Sequence, residues 1–233
     1  MASSPELIAP GVHRVDASGL SNAINVLLLE NDDGLTLVDT GAPNSVGRIQ
    51  EAIAALGSGP EDLRRIFLTH HHPDHAGGLL DLMEWAPQAE LGAPPYEAEI
   101  ISGRRARDVP SSAIFRPIAR RQKVPTAPVG KVLREGDLVS GFRVVPTPGH
   151  SLGHVSLLRD PDGLLFTADA LGCLPRKIRV GVRKALCTDP QLARRSAQRL
   201  LGEDFSTVVF AHGRTLRKDA KERLREAVAR CNY

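Results

Sequence analysis

The chain has 233 residues, 42% of them apolar and 24% charged, with a net charge of +3. That is the composition of a globular protein with ample material for a buried core, and so small a net charge does not by itself point to nucleic acid. No apolar run approaches the roughly 20 residues that span a bilayer.

From the N-terminus, Met1 to Pro10 carries neither a basic stretch nor a long apolar run, so no secretory signal is expected and a cytoplasmic location is the default. Gly11 to Val15 and Ala23 to Glu30 are rich enough in apolar and β-branched residues for strands, and Asn31-Asp32-Asp33-Gly34 is a turn signal before a third strand, Leu35 to Val38. That strand runs into Asp39-Thr40-Gly41. After Asn44-Ser45, the spacing of Val46, Ile49, Ile53 and Leu56 predicts a helix that Gly57 stops. Arg65 to Thr69 reads as a strand, and it feeds His70-His71-His72-Pro73-Asp74-His75-Ala76-Gly77-Gly78.

Four imidazoles and a carboxylate within six residues would be costly to half-bury without a task, because each ring carries polar atoms that need partners. Imidazole nitrogen with carboxylate oxygen suits zinc, iron or manganese better than calcium. One such cluster cannot close a metal site. Matching donors follow three times, each at the exit of a short apolar run. They are His150 after Phe142 to Val145, Asp169 after Leu164 to Phe166, and His212 after Thr207 to Phe210. Strand exits are where loops on one rim of a sheet can converge while the strands stay rigid.

Residues 93–129 break the pattern. Between Gly103 and Lys123 there are seven basic residues (Arg104, Arg105, Arg107, Arg116, Arg120, Arg121, Lys123) against one acid, Asp108, and Pro110, Pro117, Pro125 and Pro128 interrupt any long helix. The stretch reads either as a solvated basic face or as a cover that meets an anionic substrate through arginine. Beyond it, short strands alternate with turns. A helix opens at Asp189-Pro190 with Leu192, Ala193, Ser196, Ala197 and Leu200 on one face. Leu216, Ala220, Leu224, Ala227 and Val228 make the last helix amphipathic. Cys173, Cys187 and Cys231 are too few and too irregularly spaced for a disulfide framework or a zinc knuckle. Periodicity alone gives a mixed α/β or α+β protein, expected as a single domain over 1–233 with a possible substrate-covering insert at about 93–129.

His70-x-His72-x-Asp74-His75, followed in order by His150, Asp169 and His212, resembles the metallo-β-lactamase superfamily over nearly the whole chain from Asn22. The resemblance implies an α+β fold, the four-layer αββα sandwich. It also implies a dinuclear centre of two divalent metal ions, zinc first and iron or manganese as alternatives. His70, His72 and His150 would hold one ion; Asp74, His75 and His212 the other; Asp169 would bridge. Asp39 would lie beside the metal loop and orient a ligand imidazole, while His71 would point away and His154 would be hydrogen-bonded rather than ligating. The implied chemistry is hydrolysis by a metal-bridging hydroxide, with Asp74 or a metal-bound water protonating the leaving group.

Substrate class is less legible. Hydroxyacylglutathione hydrolases (glyoxalase II) have a similar ligand set, but their Gly-Cys-Gly segment has only a partial echo in Gly172-Cys173, and the similarity stops one helix after His212. Thioesters, lactones and other esters of a small anionic molecule remain, with Arg176 and Lys177 as candidate contacts to its carboxylate or phosphate. Cys173 reads as a plain buried thiol. Two other classes stay open. One is a mononuclear iron persulfide dioxygenase built on His70, His150 and Asp169. The other is a phosphodiesterase or nuclease, disfavoured by an aromatic content of 4% that leaves few platforms for base stacking. No membrane partner is expected.

Overall fold

The computed structural model describes residues 4–173 and 177–231. These fall into two compact units. The first runs to Ala106 and takes in Lys123–Leu133; the second comprises Arg107–Gln122 and the chain from Arg134 onward. Residues 93–129 are therefore divided between the units.

The first unit is built on a seven-stranded sheet whose spatial order follows the chain: β1 (Glu6–Ala9), β2 (Val12–Asp16), β3 (Asn25–Asn31), β4 (Gly34–Val38), β5 (Leu63–Phe67), β6 (Glu90–Ala93) and β7 (Lys131–Val132). Strands β1 to β4 are antiparallel, the β1–β2 and β3–β4 pairs joined by two-residue turns, and from β4 onward the pairs are parallel. Parallel pairing needs crossovers, and helices supply them. These are α1 (Val46–Ala55), α2 (Pro73–Ala76) and α3 (Leu79–Trp85), with α4 (Pro95–Ile101) following β6. Val26, Leu28, Leu37, Ile66 and Leu68 form one core with Ile49, Ile53, Leu79 and Leu82 of α1 and α3. Each such side chain contributes about 1.5–3 kcal/mol on leaving water. Parallel register pairs Val38 with Phe67 and Phe67 with Gly92, so β4, β5 and β6 end side by side at one edge. In open α/β sheets that carboxyl edge is where ligands bind. Strand β5 stops two residues short of the expected Thr69, because the Thr69 N–H donates to the Asp39 carboxylate (2.8 Å) instead of to a strand.

The second unit contributes α5 (Arg116–Arg121), β8 (Leu138–Val139), β9 (Phe142–Pro146), β10 (Val155–Arg159), β11 (Leu164–Phe166), β12 (Leu171–Cys173), β13 (Ile178–Val180), α6 (Pro190–Leu200), β14 (Thr207–Val209) and α7 (Ala220–Ala229). Five of these strands form a sheet in the order β14-β11-β10-β9-β8, and β12 pairs with β13 as a separate ribbon. Strands β9 and β11 are both antiparallel to β10, and β14 is parallel to β11, so the exits of β9, β11 and β14 share one edge. Helix α6 starts where the sequence predicts: Asp189 accepts the Leu192 N–H at 2.9 Å and Pro190 opens the first turn. Ala193, Ala197 and Leu200 of α6 and Leu224, Ala227 and Val228 of α7 share a core with Val145, Leu158, Leu165 and Val208 of the sheet.

Gly149, in the loop after β9, shows how tightly α6 sits. Its φ is +132°, and a Cβ there would come 2.1 Å from the Ala193 nitrogen. A Gly149→Ala variant should lose about 2–4 kcal/mol through strain and overpacking. Gly47→Ala is the comparison, since its added methyl meets nothing within 4 Å and it lies inside α1. Its change should stay within about 1 kcal/mol, in the stabilising direction. Urea unfolding of the pair checks both; equal midpoints would contradict the close seating of α6.

Candidate functional site

In the first unit, the carboxyl edge of β4, β5 and β6 assembles the histidine turn around two buried carboxylates. Asp39 follows β4 in the left-handed conformation, φ 63°, one that Asp tolerates better than most residues. Its carboxylate accepts from the Thr69 N–H, from Thr69 Oγ1 (2.9 and 3.0 Å) and from His75 Nδ1 (2.8 Å). Because the Thr69 hydroxyl hydrogen goes to Asp39, Thr69 Oγ1 is the acceptor for His70 Nδ1 at 3.1 Å. Both rings therefore carry their proton on Nδ1 and their lone pair on Nε2. His72 precedes Pro73 and is extended, φ −66° and ψ 152°, as a residue before proline must be, and Pro73 opens α2. The rings converge: His70 lies 4.0 Å from His75 and 4.7 Å from His72, centroid to centroid. The donor atoms of His70 and His72, and those of Asp74 and His75, lie within 4.8 Å of each other. Asp74, in the first turn of α2, is half-buried.

His71 turns away from this group. Its backbone N–H and its Nδ1 both reach Glu97 Oε2, at 3.0 and 2.7 Å, and both side chains are fully buried. Glu97 sits in the first turn of α4, directly after β6, and it is a residue that sequence reasoning missed. The available signal was Pro94-Pro95 opening a helix at the exit of a strand, with an acid two residues on.

In the second unit, the shared edge of β9, β11 and β14 carries His150, Asp169 and His212. Asp169 is 2% exposed, and its two oxygens lie 3.1 Å from His150 Nε2 and 3.2 Å from His212 Nε2. His150 Nδ1 faces the Gly181 carbonyl at 3.3 Å, an acceptor only, so this ring too holds its lone pair on Nε2. His154 does not join the donors. Its Nε2 accepts the Asp169 N–H at 3.0 Å and its Nδ1 meets Thr147 Oγ1 at 2.9 Å.

The donor chemistry fits a divalent cation. Metal–ligand bonds of about 2.0–2.1 Å in a tetrahedron put neighbouring ligand atoms about 3.3 Å apart, close to the separations around Asp169. In three of the rings the second nitrogen is held by a carboxylate, a hydroxyl or a carbonyl, the support that metal-binding imidazoles need to fix tautomer and orientation.

The remaining sequence candidates lie elsewhere. Arg176 falls outside the described residues. Lys177 stands at the turn end of the β12–β13 ribbon, opposite the end that leaves Asp169, and with Ile178, Arg223, Glu226 and Arg230 it lines a pocket on α7. The basic segment 107–122 is tied to the His150 loop: Asp108 accepts the Leu152 N–H at 2.6 Å, and the Ser111 N–H donates to the Cys187 carbonyl. Cys173 is a buried thiol whose N–H donates to the His212 carbonyl. Burial pushes the Cys187 thiol up to about 12, with Asp169, Cys231 and Asp189 adding repulsion. At pH 8 it is therefore a thiol, not a thiolate. Folded protein should leave Cys187 unmodified by iodoacetamide at pH 8 while unfolded protein reacts at once. Mass spectrometry of the labelled peptide checks this, and rapid labelling in the folded state would refute the burial.

A sheet edge that presents buried imidazole and carboxylate donors in each unit marks a metal-binding protein by class. The model of the Metallo-beta-lactamase superfamily matches residues 21–212, and the chain belongs to that superfamily. It is 29% identical over 219 residues to the uncharacterized protein YobT of Bacillus subtilis, covering 88% of this chain and 89% of that one. It is 35% identical over 139 residues to a hydroxyacylglutathione hydrolase of Rhodopseudomonas palustris, covering 58% of this chain and 46% of the relative, so it spans about half the length of that enzyme. Among solved structures, a metallo-beta-lactamase of Cronobacter sakazakii is similar with a TM-score of 0.68 and 26% identity, over 90% of this chain and 80% of that one. The fold is thus the mixed α/β, multi-sheet fold of that family. Among the described residues, no helix is long and apolar enough to cross a membrane.

Proposed function

We propose that the chain is a dinuclear metal-dependent hydrolase that attacks the carbonyl of a small thioester, lactone or other ester. By membership of the superfamily, His70, His72 and His150 would hold one ion, Asp74, His75 and His212 the other, and Asp169 would bridge, with zinc the best match to imidazole and carboxylate. The observation that carries this is that Nδ1 of His70, His75 and His150 each faces an oxygen acceptor, which leaves the lone pair of each ring on Nε2. Bound there, two divalent cations would supply hydroxide at neutral pH and polarise the carbonyl under attack.

The chain's own residues supply the rest. Asp39 and Thr69 lock His70 and His75 in one tautomer, so neither ring has to reorient between turnovers. Asp169 holds one carboxylate oxygen to each of two imidazoles. Asp74, half-buried in α2, is the group proposed to return a proton to the leaving group.

Hydroxyacylglutathione hydrolases among the relatives support a thioester, and the solved β-lactamases argue for testing a lactam. A hydrolysis panel of thioesters, lactones, β-lactams and phosphodiesters on metal-quantified protein tests the proposal. Turnover of an acyl substrate that chelation abolishes and zinc restores is the expected result. A preparation that binds one iron and consumes oxygen would overturn it.

A further inference from the structure

The second unit contains a hydrogen-bond chain with a fixed direction, every member of which is buried. The Asp169 N–H can only donate, and it donates to His154 Nε2, so the neutral ring carries its proton on Nδ1. That Nδ1–H donates to Thr147 Oγ1 at 2.9 Å. The Thr147 hydroxyl then has its hydrogen for Ser156 Oγ, also at 2.9 Å, and Ser156 donates to the Thr167 carbonyl at 3.2 Å. The chain begins and ends in the Thr167–Asp169 turn and passes through the loop that carries His150. Thr167 also donates its N–H to the carbonyl of Val209, the last residue of β14 and three before His212.

The Asp169 turn needs such a hold. Ala168, just before it, sits at φ 42°, in the left-handed region where a Cβ is strained. The Ala170 N–H is already committed to the Thr167 carbonyl. The acceptor that fixes the Asp169 peptide plane is therefore a side chain, His154. Rotation of that plane would swing the carboxylate off His150 and His212.

We propose that His154 is a positioning residue of the metal centre, acting through the backbone of Asp169; this rests on the metal-dependent hydrolase reading above. Two substitutions separate the halves of the ring. In His154→Gln the amide oxygen falls near the Nε2 position and can still accept the Asp169 N–H. In His154→Asn the amide nitrogen falls near Nδ1 and can still donate to Thr147, but nothing reaches Asp169.

Zinc affinity, measured by competition with a chromophoric chelator, and the visible spectrum of the cobalt-loaded protein give readouts apart from activity. His154→Asn should bind the weaker ion about 10–100-fold less tightly and shift the cobalt bands. His154→Gln should remain within about threefold of wild type by the same scale. Metal-free unfolding temperatures of the two variants should agree. The proposal is overturned if His154→Asn keeps wild-type affinity, if both variants lose affinity equally, or if the metal-free Asn variant no longer folds. A wild-type protein that binds no metal sinks the hydrolase reading itself. Variants that match a metal-loaded wild type sink only the role of His154.

Discussion

Replacing Glu97 with alanine should destabilise the protein by about 2–5 kcal/mol, since each of two buried donors left without an acceptor costs about 1–3 kcal/mol. Both side chains of the Glu97–His71 pair are fully buried, and one carboxylate oxygen serves two donors, the His71 N–H and Nδ1. Removal leaves both donors in a dry interior. For a chain of this length the thermal midpoint should fall on the order of 10 °C. Glu97→Gln retains an oxygen for one donor and should lose roughly 1–3 kcal/mol. Calorimetry on the pair decides the matter. An Ala variant that melts with the wild type would mean that the histidine turn is anchored by something other than α4.

Replacing Asp169 with asparagine should lower kcat by about 10²–10³-fold on the proposed acyl substrate, the range for removing one group that stabilises developing charge. Asn preserves shape, so the fold and the unfolding midpoint should change little. One amide group cannot, however, present an anionic oxygen to both His150 and His212 as the carboxylate does at 3.1 and 3.2 Å. Steady-state kinetics with metal quantified in the same sample measures the effect. Full activity in Asp169→Asn would remove this carboxylate from the chemistry.

The candidate donors could be placed at strand exits from the sequence because each follows a short apolar run. A strand that ends abruptly in His, Asp or Thr-Pro-Gly-His announces a loop on a sheet edge. The pairing of β4 and β5 was implicit in the strand–helix–strand order, whereas β6 was not expected. What stayed hidden depended on lateral register. Nothing local to Glu97 marks it as buried, since an acid in the first turn of a helix is equally at home in water. Only the pairing of β6 beside β5 brings it to His71. At Lys177 the register works in the opposite sense. Eight residues from Asp169 suggests closeness, but an extended strand advances about 3.3 Å per residue, and the β12–β13 ribbon carries Lys177 away. The segment 107–122 has too many prolines and arginines for periodicity to show which unit it joins.

Asp39 and Ala168 occupy corresponding bends, each at the end of a strand and each with a left-handed backbone at a residue that is not glycine. The two bends constrain sequence change differently. At 168 the torsion and a small buried side chain are demanded, so glycine could take over and a β-branched residue could not. At 39 torsion and carboxylate are demanded together, and aspartate is the side chain that meets both. The bend at 168 leaves a route for drift; the bend at 39 closes it.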